Sequence, residues 1–378
     1  MAVIAPRREA LRHMVQSTGT KRPISGFLGG LLRNRPRVRL TVMFATVLIA
    51  TVTVAGCDPL QQAQDTQVPS AVHMGDDTLL WGPEIKEQAL AMIKQSTVFC
   101  HLTMYELSDP DILNALADAA RRNVDVEVVL DAKEPHSQST AVPFLQSHHI
   151  KVRTLSISGG ISHIKSLVTD NRDGLHALLG GMNFGQYSWE NHDASVYFSH
   201  PNTSFENLFE QDYSTAGGYP QMPVATSLPL LYDSQIEPAM LAAISHATHS
   251  VVIEAFAFTS KSIIAALEAA AARGVSVKVL LDHKESYNRR TASELAAAGI
   301  SVSYYTPYQG EYLHAKILSV DHGQVFIIGS ANFSYHGFHV NHEGDVELFG
   351  ASPFSKSLEN DANIQISRGA PVSETAQY

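Results

Sequence analysis

Cysteine is almost absent from this chain: two occur, Cys57 and Cys100, in 378 residues. No disulfide framework of the kind that staples small secreted domains can be drawn from them. Compact metal-ligand spacing is missing too. The 18 histidines include no helical His-x3-His pair and have no Cys-x2-Cys companion, so a zinc-type centre has no basis in the sequence. The uncharged run at residues 40–54 is fifteen residues long, short of the roughly 20 that a membrane-spanning helix needs. Positive charge is scarce over most of the length. Nine of the 27 basic residues and one of the 37 acidic ones lie within 1–39, leaving 18 against 36 for the rest. A surface with that balance repels polyanions overall, so an anionic substrate would have to enter a locally positive cleft. Glycine and proline, at 24 and 17 residues, are too few for a collagen-like or low-complexity chain, while 44% apolar content is ample for buried cores.

The N-terminal 57 residues stand apart from any fold. A basic segment ending in Arg33, Arg35, Arg37 and Arg39 precedes the apolar run, which closes on the sequence VAGC. A charged region, an apolar stretch of this length and small residues make a signal-peptide pattern. Small residues before a single cysteine resemble the lipobox of bacterial lipoproteins. That resemblance implies lipidation of Cys57 and a membrane-anchored protein of the bacterial cell envelope, with the rest of the chain outside the cytoplasm. Cys100 then has no partner and reads as a buried thiol. The polar residues 58–78 read as a flexible tether.

The remainder is one unit written twice. Residues 79–105 align with 230–256, and 111–134 with 262–285, at a constant offset of 151. The same offset relates the HIK of residues 163–165 to the HAK of residues 314–316. This gives a first repeat at 79–213, a Gly/Pro-rich linker at 214–229, a second repeat at 230–355 and a tail at 356–378. Within each copy, short β-rich runs alternate with a stretch of helical apolar spacing that begins at Asp or Ser. Strand–helix–strand order means α/β layers with a largely parallel sheet.

SHIKSLVTD (162–170) and LHAKILSVD (313–321) read as strands. Alternation puts His163 beside Lys165, and His314 beside Lys316, on one face. Asp170 and Asp321 fall on the other face and are expected to brace the strand ends. Each strand leads to a run broken at glycine, GGMNFG with Asn183 and GSANFS with Asn332, and then to Asn191-His-Asp193 or Asn341-His-Glu343. Each copy thus supplies a His, a Lys, an Asn and an acid. Around a phosphodiester, paired lysines and asparagines would offset the charge that repels a nucleophile. One imidazole could attack phosphorus while the other protonates the leaving alcohol and then activates water.

His-x-Lys-x4-Asp, twice in register, each with a downstream Gly-x-x-Asn-Phe and Asn-x-acid, resembles the phospholipase D superfamily over roughly residues 79–355. The resemblance implies two repeats, each a mixed, mostly parallel sheet flanked by helices, fused about a pseudo-twofold with the active site between them. It implies a phosphohistidine intermediate, with His163 as nucleophile and His314 as acid/base, Lys165 and Lys316 as the catalytic cations, and no metal or cofactor. Asp193 and Glu343 match the acids that hold the histidine tautomers, and Ser334 matches a phosphate-binding hydroxyl. Gly185 stands where the second copy has Ser334, as in cardiolipin synthases, which makes the two halves unequal. With both halves in one chain, a monomer suffices.

Several residues carry weaker signals. His148, His149, His192, His283, His336, His339 and His342 are expected on the surface or behind the site, with His192 and His342 facing away from it. Lys133, Lys284, Arg289 and Arg290 could recruit phosphate or be solvated loop charges. Tyr304, Tyr305, Tyr308 and Tyr312 could wall a substrate or pack. The expected activity is hydrolysis or transfer of phospholipid headgroups. The rivals are cardiolipin synthase-like phosphatidyl transfer, a metal-independent nuclease, which the acidic balance disfavours, and an inactive envelope scaffold.

Overall fold

The computed structural model describes residues 69–220, 224–369 and 372. Residues 1–57 with the candidate lipidation site Cys57, and the tether up to residue 68, lie outside the described residues. No helix among the described residues is long and apolar enough to cross a membrane.

Two sheets dominate. The first has eight strands: β1 Val72–Met74, β2 Asp77–Trp81, β3 Phe99–Met104, β4 Asp125–Asp131, β5 Lys151–Leu155, β6 Lys165–Asn171, β7 Gly174–Gly180 and β8 Ala194–Phe198. Their spatial order is β1-β2-β8-β7-β6-β3-β4-β5. The second has seven: β9 Leu230–Tyr232, β10 Ser250–Ala255, β11 Ser276–Leu281, β12 Ser301–Tyr304, β13 Lys316–Val320, β14 Val325–Gly329 and β15 Gly344–Phe349. Their order, β12-β11-β10-β13-β14-β15-β9, repeats the first sheet strand for strand apart from β1.

The sheets are mixed, but parallel pairing does not predominate as the sequence led us to expect. Only β3-β4-β5 and β10-β11-β12 are parallel, and the other pairings are antiparallel. For consecutive strands such as β6–β7 and β13–β14 the cause is connection length. Helical crossovers join the parallel strands, whereas short turns join β6 to β7 and β13 to β14, and a short turn can only reverse the chain.

The crossover helices show how the repeat is encoded. In Pro110–Arg121 the Asp109 carboxylate accepts from the N–H groups of Asp111 and Ile112, and Pro110 occupies the first turn. Its twin Lys261–Ala272 is capped by Ser260, whose Oγ accepts from Ile263 N. Ile112, Leu113, Leu116 and Ala119 face the core of one repeat, and Ile263, Ile264, Leu267 and Ala270 hold the same places in the other.

A single apolar cluster joins the two sheets. It contains Leu79, Trp81, Ile164, Leu179 and Val196 from the first repeat together with Leu313, Ile317, Ile328, Val346 and Phe354 from the second. The described residues form one compact unit. Two of the expected boundaries differ from the structure. Strand β1 and the start of β2 lie inside 58–78, because β1 pairs along β2. The helix Ser352–Arg368 runs well into 356–378, since it buries Phe354, Leu358 and Ala362.

Candidate active site

His163 and His314 stand directly before β6 and β13, and the segments that carry them cross into the opposite repeat. His163 N donates to His342 O at 2.8 Å, and His342 N donates to Ile161 O at 2.9 Å. In the mirror-image contact, His192 N donates to Tyr312 O and His314 N donates to His192 O, both at 2.8 Å. Each Asn-His-acid segment therefore bridges to the opposite repeat's histidine-bearing segment. This crossing delivers the acids. His163 Nδ1 lies 2.8 Å from Glu343 Oε2, and His314 Nδ1 lies 2.7 Å from Asp193 Oδ2. A carboxylate oxygen only accepts, so these contacts place the proton on Nδ1 and leave Nε2 as the nitrogen with a lone pair for chemistry, which in His314 lies 3.2 Å from Lys316 Nζ.

The lysines lie against their own histidines. Lys165 Nζ donates to His163 O, and Lys316 Nζ donates to His314 O. Both lysines are buried, and each ammonium sits 5.3 Å from the centre of an aromatic ring, Tyr105 for Lys165 and Phe256 for Lys316. Those rings also contact the histidines, at 5.0 Å for Tyr105–His163 and 4.9 Å for Phe256–His314. Asn183 and Asn332 occupy matching turns after β7 and β14, and the side-chain Oδ1 of each is buried without a hydrogen-bond partner.

The electrostatics show that the four cationic or imidazole groups share one space. Burial holds the His163 imidazole well below its usual range, helped by Lys165 and by Lys316 of the other repeat. Burial and Lys316 lower His314 to about 4. Burial lowers Lys165 to about 7 and Lys316 to about 8. It also raises the carboxyls of Glu343 and Asp345, each to about 7. The free site therefore holds two neutral imidazoles and two lysines that lose protons unusually easily, an arrangement that an incoming anion would stabilise.

The other residues singled out in the sequence fall in several places. Asp321 accepts from the N–H groups of Thr248, His249 and Ser250, pinning the start of β10. Asp170 is part of β6 and half-buried, and its main-chain oxygen accepts from Thr97 and Val98. Ser334 caps the short helix Tyr335–His339, accepting from Gly337 N. Lys133 and Lys284 donate to loop carbonyls of Gly160 and Gly310, while Arg289 and Arg290 are exposed. Tyr305 is buried with its hydroxyl on Glu311, and Tyr308 stacks under Arg368. Exposed Tyr312 lies under Lys284. His148, His149, His283, His336 and His339 are exposed. His192 and His342 are not on the surface: both are buried at the seam between repeats. The groups of metal-capable side chains found among the described residues, His101/Glu206/Glu210 and His192/Glu254/Asp361, include neither His163 nor His314.

Sequence reasoning missed three features. Asp131 Oδ2 accepts from Ser162 N at 2.7 Å and Asp282 Oδ2 from Leu313 N at 3.0 Å, so each fixes the residue just before a candidate histidine. Their offset of 151 was the available signal. Asp345 is buried and accepts from Ala331 N in the turn that carries Asn332. The third is an exchange between the halves. A Cβ at Gly185 would collide with Glu106 Oε1 and lie 2.6 Å from Ser188 Oγ. At the repeat offset, Glu106 corresponds to Ala257, so one half has Glu106 with Gly185 and the other Ala257 with Ser334. Gly185→Ser is expected to cost about 1–3 kcal/mol through overpacking. Adding Glu106→Ala should recover most of that loss, a coupling that thermal unfolding of the two single variants and the double variant would reveal.

Comparison with known proteins places this geometry. The family described as "Cardiolipin synthase, PLD-like domain" matches residues 89–213 and again 240–363. Cardiolipin synthase B of Escherichia coli (strain K12) is 34% identical over 115 residues, covering 26% of this chain and 28% of that protein. A cardiolipin synthase of Listeria welshimeri is 29% identical over 139 residues, covering 35% of this chain and again 28% of its relative. The alignments thus span little more than a quarter of each curated relative. The crystal structure of phosphatidylserine synthase from Haemophilus influenzae superposes with a TM-score of 0.62 at 13% identity, over 85% of this chain and 93% of that one. That likeness shows a shared fold. With two family matches covering most of both repeats, the chain belongs to the phospholipase D superfamily, in its cardiolipin synthase-type PLD-like branch.

Proposed function

We propose that this chain is a phosphodiesterase that acts on phospholipids, forming a covalent phosphatidyl-histidine and passing the phosphatidyl group to water or to an alcohol. The observation that carries the reading is the crossed pair of His–acid contacts, His163–Glu343 and His314–Asp193, beside two buried lysines. In this scheme the free Nε2 of His163 attacks phosphorus. Lys165, Lys316, Asn183 and Asn332 hold the non-bridging oxygens. His314 takes up a proton as the anion binds, gives it to the departing alcohol, and then accepts a proton from the incoming water or alcohol. Bond making and breaking at phosphorus occur twice, so configuration is retained. The reaction scheme assigns no step to a metal. The cardiolipin synthase relatives favour a lipid substrate and make an alcohol a natural acceptor. A lipid anchor at Cys57 would keep the site near a bilayer surface.

The test is a substrate panel on the full chain: vesicles of phosphatidylglycerol, phosphatidylethanolamine and phosphatidylcholine, with and without glycerol, beside DNA and RNA, all in EDTA. Headgroup release, or transfer to glycerol, is the expected result. Nucleic-acid cleavage without lipid turnover would replace this reading with a nuclease.

A further inference from the structure

The Asn-His-acid segments carry a second side chain across the seam. His192 sends Nε2 to within 2.8 Å of Asp361 Oδ2, on the last helix of the second repeat, and 3.3 Å of Glu254 Oε2. His342 sends Nε2 to within 2.8 Å of Asp212 Oδ1, on the last helix of the first repeat, and Nδ1 to 2.9 Å from Asp233 Oδ1. Asp212 and Asp361 sit on the helices Ser204–Ala216 and Ser352–Arg368, which close their respective repeats. Both contacts are dry: the His192, Glu254, Asp361, His342 and Asp212 side chains are at most 4% exposed. Although burial opposes protonation, the facing carboxylates hold both imidazoles well above their usual range.

Each segment is therefore a plug with two prongs. His192 faces two carboxylates of the opposite repeat at ion-pair distance without hydrogen-bond geometry, His342 hydrogen-bonds to Asp212 of the opposite repeat and to Asp233 of its own, and the next residue, Asp193 or Glu343, reaches the opposite repeat's candidate catalytic histidine. Adjacent side chains of an extended segment point to opposite sides, so fixing one fixes the direction of the other. Residues 192 and 342 are also the ones whose main chain bonds to the segments carrying His314 and His163, just before β13 and β6. We propose that His192 and His342 are positioning residues, each locking the acid beside it onto the catalytic histidine of the opposite repeat. This rests on His163 and His314 being the reactive pair.

The assignment makes a crossed prediction that general stabilisation does not. In the full chain with 15N-labelled histidine, His163 and His314 should each show a hydrogen-bonded Nδ1–H resonance. His192→Gln should shift or remove the His314 signal and spare that of His163. His342→Gln should do the reverse. Asp361→Asn and Asp212→Asn, which disturb packing less, should reproduce the two patterns. Because a misplacement of about 1 Å can cost about 10²-fold, kcat should fall by about that factor with KM within about twofold. If both signals survive in both histidine variants, or both vanish together, the proposal is overturned. Failure of all four variants to fold would also overturn it, by making the pairs determinants of folding alone. The resonances need no substrate. If the wild type turns over no phospholipid, the proposed function falls while this inference is still read.

Discussion

His163→Asn is expected to abolish lipid turnover, by about 10⁴-fold or more, and so is His314→Asn. The two losses should nevertheless differ in kind. With His163 as nucleophile, its loss removes the covalent step, and no acid-labile, base-stable phosphoenzyme can be trapped. His314→Asn removes the proton donor instead. An ester with a good leaving group, such as a p-nitrophenyl phosphodiester, departs without that proton, so this variant should still form the intermediate and stall there. Because the two residues serve one reaction path, the double variant should be scarcely worse than either single one. Phosphoenzyme in His163→Asn and none in His314→Asn would reverse the roles. The near-symmetry of the site makes that a real alternative: each histidine has an acid on Nδ1, a buried lysine two residues on and an aromatic ring against it, Glu343 and Tyr105 for His163, Asp193 and Phe256 for His314.

Much of this was legible in the sequence because the chain is duplicated. A constant offset identified the strands, the crossover helices and the His-Lys pairs, since equivalent positions in two copies must solve the same packing problem. Strand direction was not legible. Apolar runs such as those of β6 and β7 look alike whether they pair parallel or antiparallel, and only the length of the connection decides. The acids were legible as residue types, yet which histidine each would meet was not. Asp193 reaching His314, and Glu343 reaching His163, follows from the exchange of main-chain contacts at the seam, and a linear motif carries no trace of it. The same exchange buried His192 and His342, whose sequence positions beside an acid suggested a face turned away. Glu106 was invisible for a related reason: its meaning comes from occupying the space that Gly185 leaves open.

Lys165→Met and Lys316→Met should separate activity from stability in opposite directions. Each lysine is buried, and burial lowers its pKa from 10.5 to about 7 for Lys165 and about 8 for Lys316. Activity needs the charged forms, because the ammonium groups offset the phosphate charge. Removing either should cost about 10²–10³-fold in kcat/KM. In the wild type, kcat/KM should begin to fall as pH rises past about 7, where Lys165 loses its proton, and fall more steeply past about 8, where Lys316 follows. Substrate binding near pH 7.5 should take up protons, a flux visible as a calorimetric heat that varies with the ionisation enthalpy of the buffer. Stability has the other sign. A lysine whose folded pKa lies below its unfolded value destabilises the fold while both states are charged, and the penalty fades as pH rises from the folded value toward the unfolded one. At pH 6 the Met variants, which keep the length of the side chain and lose the charge, should therefore unfold at higher temperature than the wild type. The gain should be on the order of a few kcal/mol at most, and it should shrink toward pH 10. A variant that is both inactive and less stable at pH 6 would show that these lysines hold the fold together. The expected pair of results would show that the fold tolerates two crowded cations because a bound anion needs them.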